Sequence, residues 1–147
     1  MRSSVLLTAD HRTTCRASST LDRNKQLYGV SNILSTNLSS CWNSAQGSPQ
    51  QVQVHFHRLV NIYTLSIMFQ GGFVGQDIQV HIKHTKDGEW KENDVEIDPD
   101  DSNDLQEFPC DVEQVEAIAI TFQRSTDFYG RVVIYQLQIL GTESKEV

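Results

Sequence analysis

The sequence predicts an all-β fold, an antiparallel jelly-roll sandwich. Apolar and polar residues alternate with a period of two in several runs, no stretch sustains helical spacing, and Gly, Pro, Asn and Asp punctuate the chain between the runs. Alternation puts successive side chains on opposite faces of a pleat. Each strand therefore carries one apolar face, which a second layer of strands has to cover.

The first strand is written by Val52, Val54 and Phe56, alternating with Gln51, Gln53, His55 and His57. Asn61-Ile62-Tyr63 reads as a break, and Leu65, Ile67 and Phe69 form the second strand. Gly71-Gly72-Phe73-Val74-Gly75 turns the chain, with Gly71 and Gly72 expected at positive φ, before Ile78, Val80 and Ile82 make the third. Asp87-Gly88, Pro99-Asp100-Asp101, Phe108-Pro109 and Tyr129-Gly130 are turn signals. The stretch from Glu113 to Ile120 would also fit two helical turns. Its Val115, Ile118 and Ile120, followed by Thr121-Phe122, favour a fourth strand, since β-branched and aromatic residues pack well on a pleated surface. Val133, Tyr135, Leu137 and Ile139 form the last, ending before Gly141.

Length and composition bound the rest. A chain of 147 residues with 38% hydrophobic residues, 21% charged residues and three prolines makes one folded domain with a real core. Ten of its 19 acidic residues lie between Asp94 and Glu116, where no Lys or Arg occurs, so the net charge of -7 is concentrated on one segment. That balance argues against nucleic acid, whose phosphates need clustered cations. The basic stretch up to Lys25 (Arg2, Arg12, Arg16, Arg23, Lys25) contains no aromatic ring to stack a base, and reads as a solvated tail or strap. No apolar run reaches the ~18 residues of a membrane span, and Val5-Leu6-Leu7 is shorter than a signal-peptide core, so an intracellular protein is expected. Cys15, Cys41 and Cys110 are odd in number and widely spaced, which favours reduced thiols. In that compartment the glycosylation match Asn37-Leu38-Ser39 carries no meaning.

Motifs for catalysis are missing. There is no Gly-x-Ser-x-Gly elbow, phosphate loop or His-Glu-x-x-His, and nothing selects one carboxylate pair for acid–base work. The acidic run from Asp98 fails as a calcium loop, since Asn103 stands where Gly is needed and Pro109 where the bidentate Glu is needed. His55 and His57 share one side of a strand as surface histidines, with His81 and His84 elsewhere. A non-catalytic binding module without cofactor is therefore expected. Its candidate surface is the set of loops Trp42-Asn43-Ser44, Gln70 to Gly75 and Ser125 to Arg131, where aromatic rings offer contact area and polar groups fix orientation. The partner-binding residues singled out are Trp42, Asn43, Gln70, Phe73, Asp127, Phe128 and Arg131; Trp42 and Phe128 would alternatively tuck under the barrel as plugs.

Ala17-Ser18-Ser19, Asn32-Ile33-Leu34, Cys41-Trp42-Asn43-Ser44, Pro49-Gln50-Gln51-Val52-Gln53-Val54 and the ending Gly130 to Gly141 together resemble the discoidin domains, also called coagulation-factor (F5/8) type C domains. The resemblance implies a galactose-binding-domain-like sandwich over residues 17–141, with 1–16 as a flexible or strapping segment and 142–147 as a tail. Cys41 to Ser44, Phe69-Gln70-Gly71-Gly72-Phe73 and Thr126 to Tyr135 are similar to a small intracellular branch of that superfamily associated with a nuclear receptor. This implies a protein partner, a nuclear receptor, repression of its transcription by direct contact, and residence in nucleus and cytoplasm. Sugar binding, as in lectin-like relatives, and a subunit presenting substrate or cargo in a larger complex are the alternatives. The segment where many discoidin domains hold calcium reads Ser35-Thr36-Asn37-Leu38-Ser39-Ser40 here, without a carboxylate, so no structural calcium is expected. Membrane-binding relatives use hydrophobic spikes; Phe73, Val74, Phe128 and Tyr129 suit spikes, but an acidic domain is repelled by anionic lipid.

Overall fold

The computed structural model describes residues 4–35 and 39–144. Arg2 of the basic stretch, Thr36, Asn37 and Leu38 of the glycosylation and calcium comparisons, and the end Lys145–Val147, expected to fray, lie outside the described residues.

Among the described residues eight strands run β1 (Val5–Leu6), β2 (Thr14–Ala17), β3 (Trp42–Asn43), β4 (Gln50–Phe69), β5 (Gly75–Lys83), β6 (Lys91–Asn93), β7 (Leu105–Ser125) and β8 (Val133–Glu143). One short α-helical turn among the described residues, α1 (Lys25–Tyr28), is capped by Asn24, whose side chain accepts from the Leu27 N–H. All pairings are antiparallel. In one layer β2, the first half of β4, the second half of β7, β5 and β6 lie side by side; in the other, the first half of β7 flanks the second half of β4, then β8, which carries β1 and β3. The long β4–β7 pair thus bends over and belongs to both layers of the jelly roll.

That bend revises the sequence reading at three places. The runs 52–56 and 65–69 are not separate strands but two halves of β4. His57 takes a φ of 59°, and the register with the neighbouring strands shifts between His55 and Val60 and again between Ile62 and Thr64. The buried set moves from Val52, Val54, Phe56, Val60 and Ile62 to Leu65, Ile67 and Phe69, so a bulge at Tyr63 swaps which parity faces inward. Asn61-Ile62-Tyr63 is that bulge, not a break. Phe108-Pro109, taken as a turn, lies inside β7, where Pro109 pairs with Thr64 and no further strand among the described residues flanks this half of β7, so the missing N–H breaks no ladder bond. There Glu107, Asp111 and Glu113 point outward while Cys110, Val112 and Val115 are buried, so the acidic segment is partly an edge strand guarded by charge. The last strand also runs past Gly141 to Glu143, because Gly141 sits flush against the Asn61 carbonyl in the β4–β8 ladder.

At the amino-terminal edge, Arg12 bonds both Asp10 and Glu143, and Arg58 of β4 donates to the same Glu143 at 2.8 Å. This network ties the segment between β1 and β2 to β4 and β8. The three cysteines are free; burial pushes the Cys15 and Cys110 thiols up to about 12, leaving little thiolate at neutral pH.

Between the layers Phe122 of β7 meets Phe69 edge-on at 5.8 Å and Trp42 at 6.4 Å between ring centroids. All three rings are buried. A methyl group on Gly75 would stand 2.2 Å from the Phe122 ring, so this glycine exists to let the ring in. Phe122→Ala is expected to cost about 3–5 kcal/mol in urea unfolding. Gly75→Ala should be strongly destabilising alone and much less so when combined with Phe122→Ala; strictly additive losses would show that the ring does not set the spacing at Gly75.

Candidate functional site

The pairings Gly75 with Ser125, Phe69 with Ile134 and Gln50 with Phe122 place the ends of β4, β5, β7 and the start of β8 at one pole of the sandwich. Three loops meet there, 44–49, 70–74 and 126–132, and each is held to the next by backbone hydrogen bonds. Ser44 N donates to Val132 O at 3.0 Å and Gly47 N to Tyr129 O at 2.7 Å; Val133 N donates to Phe73 O, and Thr126 N to Val74 O at 2.9 Å. Gly130, at a φ of 81°, crosses so near Gly47 that a Cβ would fall 2.8 Å from its carbonyl oxygen. Of the two glycines expected at positive φ, only Gly72 is, at 88°.

Asp127 organises the third loop. Its carboxylate accepts from Arg131 Nε and from Arg131 N at 3.0 and 3.1 Å, with Arg131 Nη2 at 3.3 Å. Hydrogen bonding from Arg131 holds the Asp127 carboxyl below the usual carboxylate range against the opposing effect of burial. The guanidinium so fixed lies 5.1 Å from the Phe73 ring and 5.8 Å from the Tyr129 ring, within cation–π range of both. Phe128 packs edge-on against Tyr129 at 5.2 Å, and these rings are 93% and 56% exposed. A shallow hollow of about 330 Å³ between Gly47, Ser48, Asp127 and the two rings completes the rim.

The structure sorts the expected residues. Phe73, Asp127, Phe128 and Arg131 come together on the rim. Gln70 stands beside them, half-buried, its Oε1 accepting from Tyr135 OH at 3.2 Å. Trp42 is a correction: at 0% exposure, with Nε1 donating to Ser19 O at 2.9 Å, it plugs the core beneath the rim and touches no solvent. Phe128 takes the opposite choice. Asn43, next to Trp42 on β3, is half-buried, and its Oδ1 is buried with no hydrogen-bond partner among the described residues. Tyr129, named from the sequence as suiting a hydrophobic spike but not among the partner-binding residues, also belongs to the rim. Asp101 and Asn103, read from the sequence as part of a turn and of a failed calcium loop, reach the rim: their side chains accept from Gly72 N and Gly71 N at 2.7 Å each, so the acidic segment caps the glycine turn. Nothing local in the sequence reveals a contact across 29 residues.

Elsewhere, His57 is exposed, His55 is half-buried, and His84 Nδ1 donates to Gln114 O at 2.7 Å. Among the described residues no group of three or more His, Cys, Asp or Glu is placed to hold a metal ion.

No protein-family profile matches the chain. It is 37% identical over 129 residues to the human nuclear receptor 2C2-associated protein, covering 88% of this chain and 91% of that one. In solved structures the fold is matched by the family 32 CBM of Clostridium perfringens NanJ in complex with galactose, at a TM-score of 0.72 and 17% identity over 93% of this chain and 98% of that one. It is matched also by an F5/8 type C domain from Bacteroides fragilis, at a TM-score of 0.76 and 10% identity over 90% and 93%. The discoidin architecture expected from the sequence is thus the architecture present.

Folding lowers the Asp127 pKa, so the unfolded chain takes the proton more readily than the folded one. The pair with Arg131 contributes fully above the ordinary carboxylate value of about 3.9 and is lost as pH falls through the lower, folded value. Asp127→Asn should therefore lower stability at neutral pH, with the gap to wild type narrowing as pH falls below the ordinary carboxylate value in parallel denaturation curves. A gap independent of pH would mean that the charge on Asp127 is not what holds the loop.

Proposed function

Because the chain belongs to the nuclear receptor 2C2-associated protein family, we propose that it is a non-catalytic module that grips a nuclear receptor with this rim and represses receptor-dependent transcription by occupying the receptor's surface. The observation that carries the reading is Phe128, an aromatic ring 93% exposed on a loop that hydrogen bonds hold rigid. A ring left in water by a preorganised loop is surface available for burial, and Trp, Tyr and Arg anchors of this kind dominate binding energy at protein interfaces. Phe128 and Tyr129 supply the apolar contact, while Arg131, oriented by Asp127 and stacked on Phe73, supplies directed donors. Rigidity lowers the entropy lost on docking. Such a contact needs no cofactor and no bond chemistry, and the proposed place of action is the nucleus and cytoplasm.

A second reading, sugar binding at the same rim, is favoured by one observation: rings beside Arg and Asp in a fold whose solved neighbours include a galactose complex. A glycan array with saturable hits that compete with receptor would select it.

Phe128→Ala is expected to leave folding unchanged, since the residue is 93% exposed. Combined with Phe73→Ala, it should weaken binding to purified nuclear receptor 2C2 by about 30-fold or more in calorimetry, the loss carried by one anchor of about 2 kcal/mol. Wild-type affinity in a folded double variant would remove the rim as the contact surface.

A further inference from the structure

The outer face of the layer that contains β2, β4, β7 and β5 carries a second constellation, remote from the rim. The register sets Thr14, His55, Ala117 and Lys83 in one row across four strands, and Arg16 lies two residues along β2 on the same side. Ala117 is the low point of the row, so the longer side chains around it wall a groove of about 210 Å³, closed at one end by Lys86 and Thr85 of the loop after β5. We propose that this groove binds a dianionic oxyanion, the phosphoryl group of a phosphate monoester or the free phosphate ion, through Arg16, Lys83, Lys86, Thr14, His55 and His57.

Charge is the first support. In a chain of net charge -7, Arg16, Lys83 and Lys86 make no ion pair within the described residues, whereas Arg12, Arg58, Arg124 and Arg131 each do. Two carboxylates, Asp87 and Glu116, also line the groove and lie outside ion-pair distance of the three cations. Counting three fixed cations against these two acids leaves one uncompensated positive charge, and each imidazole that takes a proton adds another. His55 already senses this field: burial first, then Arg16, Lys83 and His57, hold its pKa below the usual histidine value.

Donor geometry is the second support. Arg131 and Arg58 are spent on internal acceptors, but Arg16 offers an uncommitted guanidinium fork, the group best matched to a phosphoryl oxygen pair. Thr14 Oγ1 lies 2.8 Å from His57 Nε2, which sets that ring in place, and His55 Nε2 is held 3.0 Å from Gln53 Oε1. Trp90 stands edge-on to His55 at 6.2 Å with Lys83 Nζ 4.7 Å from its ring, so Lys83 is positioned without being neutralised. The groove is eight residues along β7 from the rim, Ala117 against Ser125, or roughly 26 Å at about 3.3 Å per residue. Both surfaces can therefore be occupied at once.

Protein NMR titrations with inorganic phosphate and with N-acetyl-O-phosphoserine amide test the proposal. Saturable shifts are expected at the His55 and His57 rings and at Lys83, absent with sodium chloride at matched ionic strength and weakened about tenfold or more in Arg16→Gln/Lys83→Gln. Tighter binding of the phosphoserine derivative would assign the source to a phosphorylated partner; equal or weaker binding would assign it to the free ion. Sulfate, a dianion throughout, should bind more tightly as pH falls from about 7.5 to about 5.5, because His55 takes up a proton more readily beside a bound anion. Shifts that never saturate, that chloride reproduces, or that persist unchanged in the double variant and in Lys86→Gln would overturn the site.

Discussion

Everything at the loop-bearing pole depends on the antiparallel pairing of β4 with β7 through both layers. Because each strand bends with its partner, a single hairpin-like ribbon supplies the middle of one layer and the margin of the other, and its open ends converge with β5 and β8. The wedge of Phe122 between Phe69 and Trp42 fills the space that this bend encloses. Burial of three large rings at one level is what sets the height at which the loops emerge, and Gly75 is the concession that lets the layers close over them.

The same constraint explains why the two aromatic residues of the loops behave oppositely. Trp42 belongs to a short strand registered against Ile134, which faces it into the wedge. Phe128 follows Asp127 in a turn closed by the Gly130 N–H to Asp127 O bond, and the turn geometry leaves its ring no core to enter. Exposure of Phe128 is therefore built by the backbone of the loop, with Arg131 locked to Asp127 behind it. A stiff apolar tip over an oriented guanidinium thus sits at the pole where three loops share hydrogen bonds.

Much of this was legible from the residues. Alternation located the cores of β4, β5, β7 and β8, and their inward-facing residues Val52, Val54, Val80, Ile118 and Ile139 are buried. What alternation cannot register is a change of phase: the bulge near Tyr63 hid the continuity of β4, and Pro109 mimicked a turn because the sequence does not reveal which strand is an edge. Strands of two to four residues, such as β1, β2, β3 and β6, are too short to show a period. The loops of the rim were visible through their composition, yet the choice between plug and spike for Trp42 and Phe128 rests on tertiary register. The capping of Gly71 and Gly72 by Asn103 and Asp101 is likewise a contact between distant segments.

Backbone amide shift mapping of the isotope-labelled chain with nuclear receptor 2C2 addresses the rim most directly. If the rim is the contact, the perturbed amides cluster in 70–74 and 125–131 and extend to 44–49, while those of the opposite pole stay in place. Perturbations confined to another face, with Phe128, Tyr129 and Arg131 unmoved at saturation, would contradict it.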